Sequence, residues 1–272
     1  MPTLRDHALA LQSIVGDLST LAVRDLVQLF TQHDDGSDRF GDLLRGAFGE
    51  IVRPYARAAG TITAQWYREL LPGNDFAPTP IVDLPDARID KTVDWALNAR
   101  GDAKPLDRLA GSSKRMVADA SRATVVDNAA QEGIKWARLA APDACAFCKV
   151  LALRGAVYNT YGIAEDEIYV QRTVVVGRNG NPRGKRAVGE SYHDHCRCVA
   201  VPIRQGQQWN PPDYVSDWQK QYRDAVKEAG GSHDLKEILS KMRAAERARN
   251  SPQPDVDEHD LPPVELDTPA IA

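Results

Sequence analysis

The chain is poor in the features that most quickly assign a protein to a class. No apolar run among its 272 residues approaches the ~20 needed to cross a bilayer, which argues against a membrane protein. Its first residues, Met1-Pro-Thr-Leu-Arg-Asp-His7, lack the charged-then-apolar layout of an export signal, so a cytosolic product is expected. Nor is there an excess of positive charge. Lys and Arg total 34 against 38 Asp and Glu, giving a formal net charge of −4 and a pI near 5.9, which argues against a globally basic nucleic-acid binder. Neither G-x-S-x-G nor H-E-x-x-H occurs, and no internal repeat is visible. The hydrophobic content, 43%, is ordinary, and the length suffices for one large domain or two smaller ones with their own cores.

Cysteine is scarce as well, and its four copies fall in two places. Cys145-Ala-Phe-Cys148 is a C-x-x-C pair, and Tyr192-His193-Asp194-His195-Cys196-Arg197-Cys198 holds the other two together with two of the six histidines. Six soft or borderline ligands thus face one ion that needs four, a supply that suits tetrahedral zinc. On an extended segment side chains alternate faces, so Cys196 and Cys198 point one way and His193 and His195 the other, giving four thiolates. A turn at Asp194 would instead let His193 replace one cysteine. Either site is closed, with no position left for an activated water. The even count also permits two disulfides, but a chain without an export signal, and too large to need staples, does not favour them.

Apolar residues recur at Leu4, Ala8, Leu11, Val15, Leu18, Ala22, Leu26 and Leu29, the stripe of a long helix from Thr3, its N-cap, to about Gln32. A second helix is expected from Asp38 to about Leu71, kinked at Pro54, so that residues 1–76 form a helical hairpin arm. Three prolines make Ala77 to Pro85 a linker. Two further helices, Asp86 to about Arg100 and Pro105 to about Glu132, complete a helical region over 77–135. Ile134–Leu139 and Val199–Pro202 read as strands entering and leaving the cysteine cluster, within a Cys/His domain over 136–203. Lys149 to Leu153 reads as a short helical or extended run. Between them, Asn179-Gly180 signals a β-hairpin carrying Arg172, Arg178, Arg183, Lys185 and Arg186, with no acidic residue between Glu167 and Glu190. This hairpin is either a charged face that resists edge pairing or a nucleic-acid contact. A helical region over 204–249, interrupted at Gly230-Gly231, precedes residues 250–272. From Ser251 on, these hold six acidic residues, five prolines and no Lys or Arg, a composition that reads as a disordered acidic tail. The fold class expected is α+β: long N-terminal helices, a small zinc-stabilised α/β domain with a β-hairpin, then a helical and disordered tail.

Two stretches resemble the MuF-like, or phage head-morphogenesis, family of minor capsid proteins. They are Ala141-Pro-Asp-Ala-Cys145-Ala-Phe-Cys148-Lys-Val-Leu151-Ala-Leu-Arg-Gly155-Ala-Val-Tyr158 and His193-Asp-His-Cys196-Arg-Cys198-Val-Ala-Val-Pro202. Asp194-His195 replaces the family's Pro-Asn, so His195 competes with His193 as the histidine ligand. The likeness spans about residues 136–203 and is nearest to members from phages of actinobacteria. It implies a low-copy virion protein inside the capsid near the portal, present in the host cytoplasm during assembly. Its implied partners are the portal protein, major capsid or scaffold proteins, and packaged DNA. Three other classes compete. A capsid maturation protease needs a nucleophile among Ser112, Ser113 and Ser191. A metal-dependent nuclease would use His193 and His195, and a host-encoded DNA-binding zinc module would act through residues 141–203.

Overall fold

The fold, taken from a computed structural model, is described for residues 2–70, 75–98, 104–155, 196–232 and 234–250. The expected basic hairpin with its five cationic residues, His193, His195, Ser191 and the acidic tail lie outside the described residues.

Helix α1 spans Leu4–His33. It starts where the sequence provides a capping box: Thr3 Oγ1 accepts from Asp6 N–H at 3.2 Å while the Asp6 carboxylate accepts from Thr3 N–H at 2.8 Å. Its buried stripe is Ala8, Leu11, Val15, Ser19, Ala22, Leu26 and Phe30, so Ser19 and Phe30 take places beside the only partly buried Leu18 and Leu29. Helix α2 spans Asp38–Glu69 and continues through Pro54, which sits on its exposed face. Helices α3 (Asp86–Leu97) and α4 (Pro105–Glu132) follow.

The central element is α4, which is buried against two groups of neighbours. Leu109, Met116 and Val117 join a core with α1, α2 and α3, whereas Ala118, Val125 and Ala129 join a core with the sheet. Gly, Ser, Ala and Thr fill much of its buried surface, which lets α1 and α2 approach closely. Gly133, at φ 68°, ends α4 in a left-handed turn whose following residue, Ile134, donates back to Ala129 O at 2.9 Å. That turn launches strand β1 (Lys135–Leu139), which pairs antiparallel with β2 (Val199–Ile203), with Lys135 opposite Ile203 and Leu139 opposite Val199. Between the strands lies α5 (Ala146–Ala152), so the run after Cys148 is helical rather than extended. Helices α6 (Tyr214–Glu228) and α7 (Leu235–Asn250) then cover α5, through Ala146 and Val150 against Ala225, Ile238, Leu239 and Met242. No helix among the described residues is long and apolar enough to cross a membrane.

The proline-rich segment before α3 is strapped down. Asn128 of α4 accepts from Thr79 N–H and donates to Thr79 O, both at 2.8 Å, and Thr124 Oγ1 accepts from Ile81 N–H at 2.9 Å. The strap passes so close to α2 that a Cβ on Gly60 would stand 2.4 Å from the carbonyl oxygen of Ile81. Gly60→Ala is therefore expected to destabilise the protein by about 1–3 kcal/mol, as overpacking against a fixed backbone does. A lowered urea midpoint with unchanged slope checks this.

Candidate metal centre

The two cysteine groups meet at the mouth of the sheet. β1 ends at Leu139, the chain turns through 140–145, and α5 then carries Cys148 inward from its first turn. Cys196 and Cys198 stand immediately before β2, whose antiparallel register brings them back over the end of β1. The three sulfurs lie within 4.8 Å of one another, and all three residues are buried. Cys148 Sγ and Cys196 Sγ, 48 positions apart in sequence, are separated by 3.5 Å. No disulfide joins any of the cysteines, and 3.5 Å is far beyond the roughly 2.05 Å of an S–S bond. Cys145, half-buried at the N-cap of α5, hydrogen-bonds Cys148. The structure thus brings together Cys148, Cys196 and Cys198 with Cys145 beside them. Three buried thiols with no disulfide form a donor set that can hold a soft or borderline metal ion.

The surroundings explain the site's electrostatics. Hydrogen bonds from the other cysteines, with burial, push the Cys148 thiol well up, whereas hydrogen bonds from Cys148 and Cys198 pull Cys196 well down. Arg122 also favours the Cys196 thiolate, and the Arg138 guanidinium, itself 1% exposed, points Nη1 at Cys148 Sγ at 3.9 Å. Three neighbouring sulfurs lie beside two buried cations, Arg122 and Arg138, which offset part of the charge that metal-bound thiolates carry.

The helices hold the C-x-C half by its backbone. Arg122 Nη1 donates to Cys198 O at 3.0 Å and Cys196 O at 3.4 Å, and Gln12 Nε2 of α1 donates to Arg197 O at 2.9 Å. Three successive carbonyls are thereby fixed by side chains from α1 and α4. Asp119, one turn before Arg122, accepts from it at 2.6 Å and from Arg88 of α3 at 2.5 Å. Burial pushes the Asp119 carboxyl up, but the Arg122 and Arg88 guanidiniums outweigh it and hold it below the usual carboxylate range. The far side is closed by Val215 and Trp218 of α6, packed with Ala140, Ala152 and the cysteines. Tyr214 adds a hydrogen bond to Ala140 O at 2.8 Å, and Lys149 pairs with Glu246 at 2.5 Å, pinning α5 to α7.

Sequence reasoning missed Asp119, Arg122, Arg138 and Gln12. A signal existed for Arg122, which falls on the stripe Ala118, Arg122, Val125, Ala129, where a charge demands a buried partner. Ser112 and Ser113, weighed as nucleophiles, are buried on α4, and neither hydroxyl has a hydrogen-bond partner among the described residues.

A family model described as VG15 protein matches residues 2–225, a span that takes in α1 to most of α6 and all four cysteines. No curated protein and no solved structure matches the chain.

Proposed function

We propose that this chain, which belongs to the VG15 protein family and is a phage protein, is a minor capsid protein of the MuF-like head-morphogenesis type, built around a structural zinc clasp. The observation that carries the reading is the meeting of Cys148, from the C-x-x-C pair, with both C-x-C sulfurs in a buried cluster packed against α6. A tetrahedral ZnS₄ centre with Zn–S near 2.3 Å has S···S edges of about 3.8 Å, and the Cys148–Cys196 separation of 3.5 Å is close to that. We assign Cys145, Cys148, Cys196 and Cys198 as the ligands, with His193 as the alternative fourth donor. The protein supplies thiolates, two nearby guanidiniums and an apolar lid. The ion supplies a cross-link between chain segments 48 positions apart.

A site of this kind stabilises and does no chemistry, because four protein ligands leave no open position. That suits a structural part of a virion head, placed inside the capsid near the portal, with the portal protein as principal partner and packaged DNA close to the basic residues Arg172, Arg178, Arg183, Lys185 and Arg186. Along α1, Ile14, Leu21 and Val27 remain 36–40% exposed, apolar surface that a partner would cover. Mass spectrometry of purified virions after chemical cross-linking tests the reading. The expected result is this chain at low copy with cross-links from α1 to the portal protein. Its absence from virions overturns the assignment.

A further inference from the structure

The groove between α3 and α4 has a composition that the clasp does not use. Arg88, Lys91, Thr92 and Trp95 follow one another at i, i+3, i+4 and i+7, so one face of α3 presents two cations, a hydroxyl and an indole. Of the three acidic residues of α3, Asp86 pairs with Arg53 and Asp94 with Arg45 of α2, and Asp90 does not line the groove, while Arg88 is itself paired to Asp119 of α4. Across the groove α4 contributes Ser112 and Arg115. The cavity between the two helices measures about 530 Å³ and has no carboxylate among its lining residues.

Two details point to an occupant. Ser112 is 1% exposed, lines the groove, and its hydroxyl has no hydrogen-bond partner among the described residues, although a buried hydroxyl without one is costly. Trp95 is 47% exposed, the most exposed of the large apolar side chains among the described residues. One face of its ring is covered by the Arg108 guanidinium, 4.7 Å from the centroid, and Arg108 also donates to Trp95 O at 2.7 Å. The indole is thus braced by Arg108 while about half of it stays exposed at the groove.

We propose that this groove binds single-stranded nucleic acid, with a phosphate held by Lys91 and by Arg88, which keeps its bond to Asp119, above the buried Ser112 hydroxyl, and a base stacked on Trp95. Cations without lining carboxylates favour a polyanion, and the braced indole favours one that carries flat rings. Duplex DNA keeps its bases stacked inside and offers Trp95 nothing. An acidic peptide satisfies the cations but leaves the ring unused. The site uses none of the basic residues 172–186 and none of the cysteines.

The test uses the full chain and fluorescence anisotropy with a labelled single-stranded oligothymidylate. Trp95→Ala is expected to weaken binding about tenfold, the usual worth of one stacked base. Lys91→Glu should weaken it comparably and flatten the salt dependence by about 0.7 for each phosphate that is no longer neutralised, while Lys91→Arg retains binding. Both side chains are exposed, so circular dichroism and metal content stay unchanged and the clasp is assessed on the same samples. Charge reversal of Arg183, Lys185 and Arg186 should leave the Trp95 effect in place. The proposal is overturned if the wild-type chain does not bind the oligonucleotide, or if neither groove variant weakens binding. It is equally overturned if, in the chain with Arg183, Lys185 and Arg186 charge-reversed, duplex DNA or polyglutamate binds as tightly as the single strand.

Discussion

Cys148→Ser is expected to lose the bound metal and open the region around it. Purified wild-type protein should carry about one zinc ion per chain, and the variant close to none, because the substitution removes the sulfur at the centre of the cluster. Structural zinc contributes about 10–16 kcal/mol in zinc-finger peptides, far more than the few kcal/mol by which a domain is stable, so the effect on this region should be near complete. New protease cleavage should appear between 141 and 203, while α1, α2 and α4 keep their helical signal through their own core. Metal content and protease pattern identical to wild type would refute the clasp. The same preparation settles the fourth ligand. In the cobalt-substituted protein, Cys145→Ser should remove one sulfur-to-metal charge-transfer contribution, and His193→Ala should leave the spectrum intact. The reverse result assigns His193 in place of Cys145.

Much of this architecture was legible because it is encoded locally. The N-cap Thr3, the stripe of α1 and the Pro/Gly breaks between the helices are short-range signals, and the helices begin and end within a few residues of where those signals stand. The cysteines were legible for another reason: two close pairs separated by a long excursion have few uses other than a shared ion. What was hidden depends on residues far apart in sequence. The prolines of residues 77–85 announce an irregular segment, yet nothing in them reveals that Asn128 and Thr124 bind its backbone. Gln12 looks like a solvent residue of a long helix until β1 and the C-x-C come to lie beside it. Periodicity likewise marks which residues of α4 are apolar but not that the helix is buried against both the bundle and the sheet. That double burial is why Arg122 and Asp119 matter.

The second large effect is expected from Asp119→Asn. Arg122 is 2% exposed and Arg88 about one-third exposed at its side chain, and Asp119 is the carboxylate they share. Amidation keeps the shape of the side chain but leaves a buried guanidinium without its counter-charge, which typically costs about 3–5 kcal/mol. Arg122 would then also let go of the Cys196 and Cys198 carbonyls, so the variant should surrender its metal to a chelator faster than wild type at equal stability of the remaining helices. The double variant Asp119→Asn with Arg122→Met should be less destabilised than the sum of the single changes, because the second change removes the stranded charge. The pH dependence has a definite sign. The carboxyl of Asp119 is held below its ordinary value of 3.8 in the folded protein, so its contribution is fully present above that value and is lost as the pH falls through the depressed one. The stability gap between wild type and Asp119→Asn, read from urea midpoints, should therefore be constant near neutrality and close in acid. A gap that stays open in acid would mean that Asp119 acts by its shape and not by its charge, and that Arg122 is held at the cysteine carbonyls by packing alone.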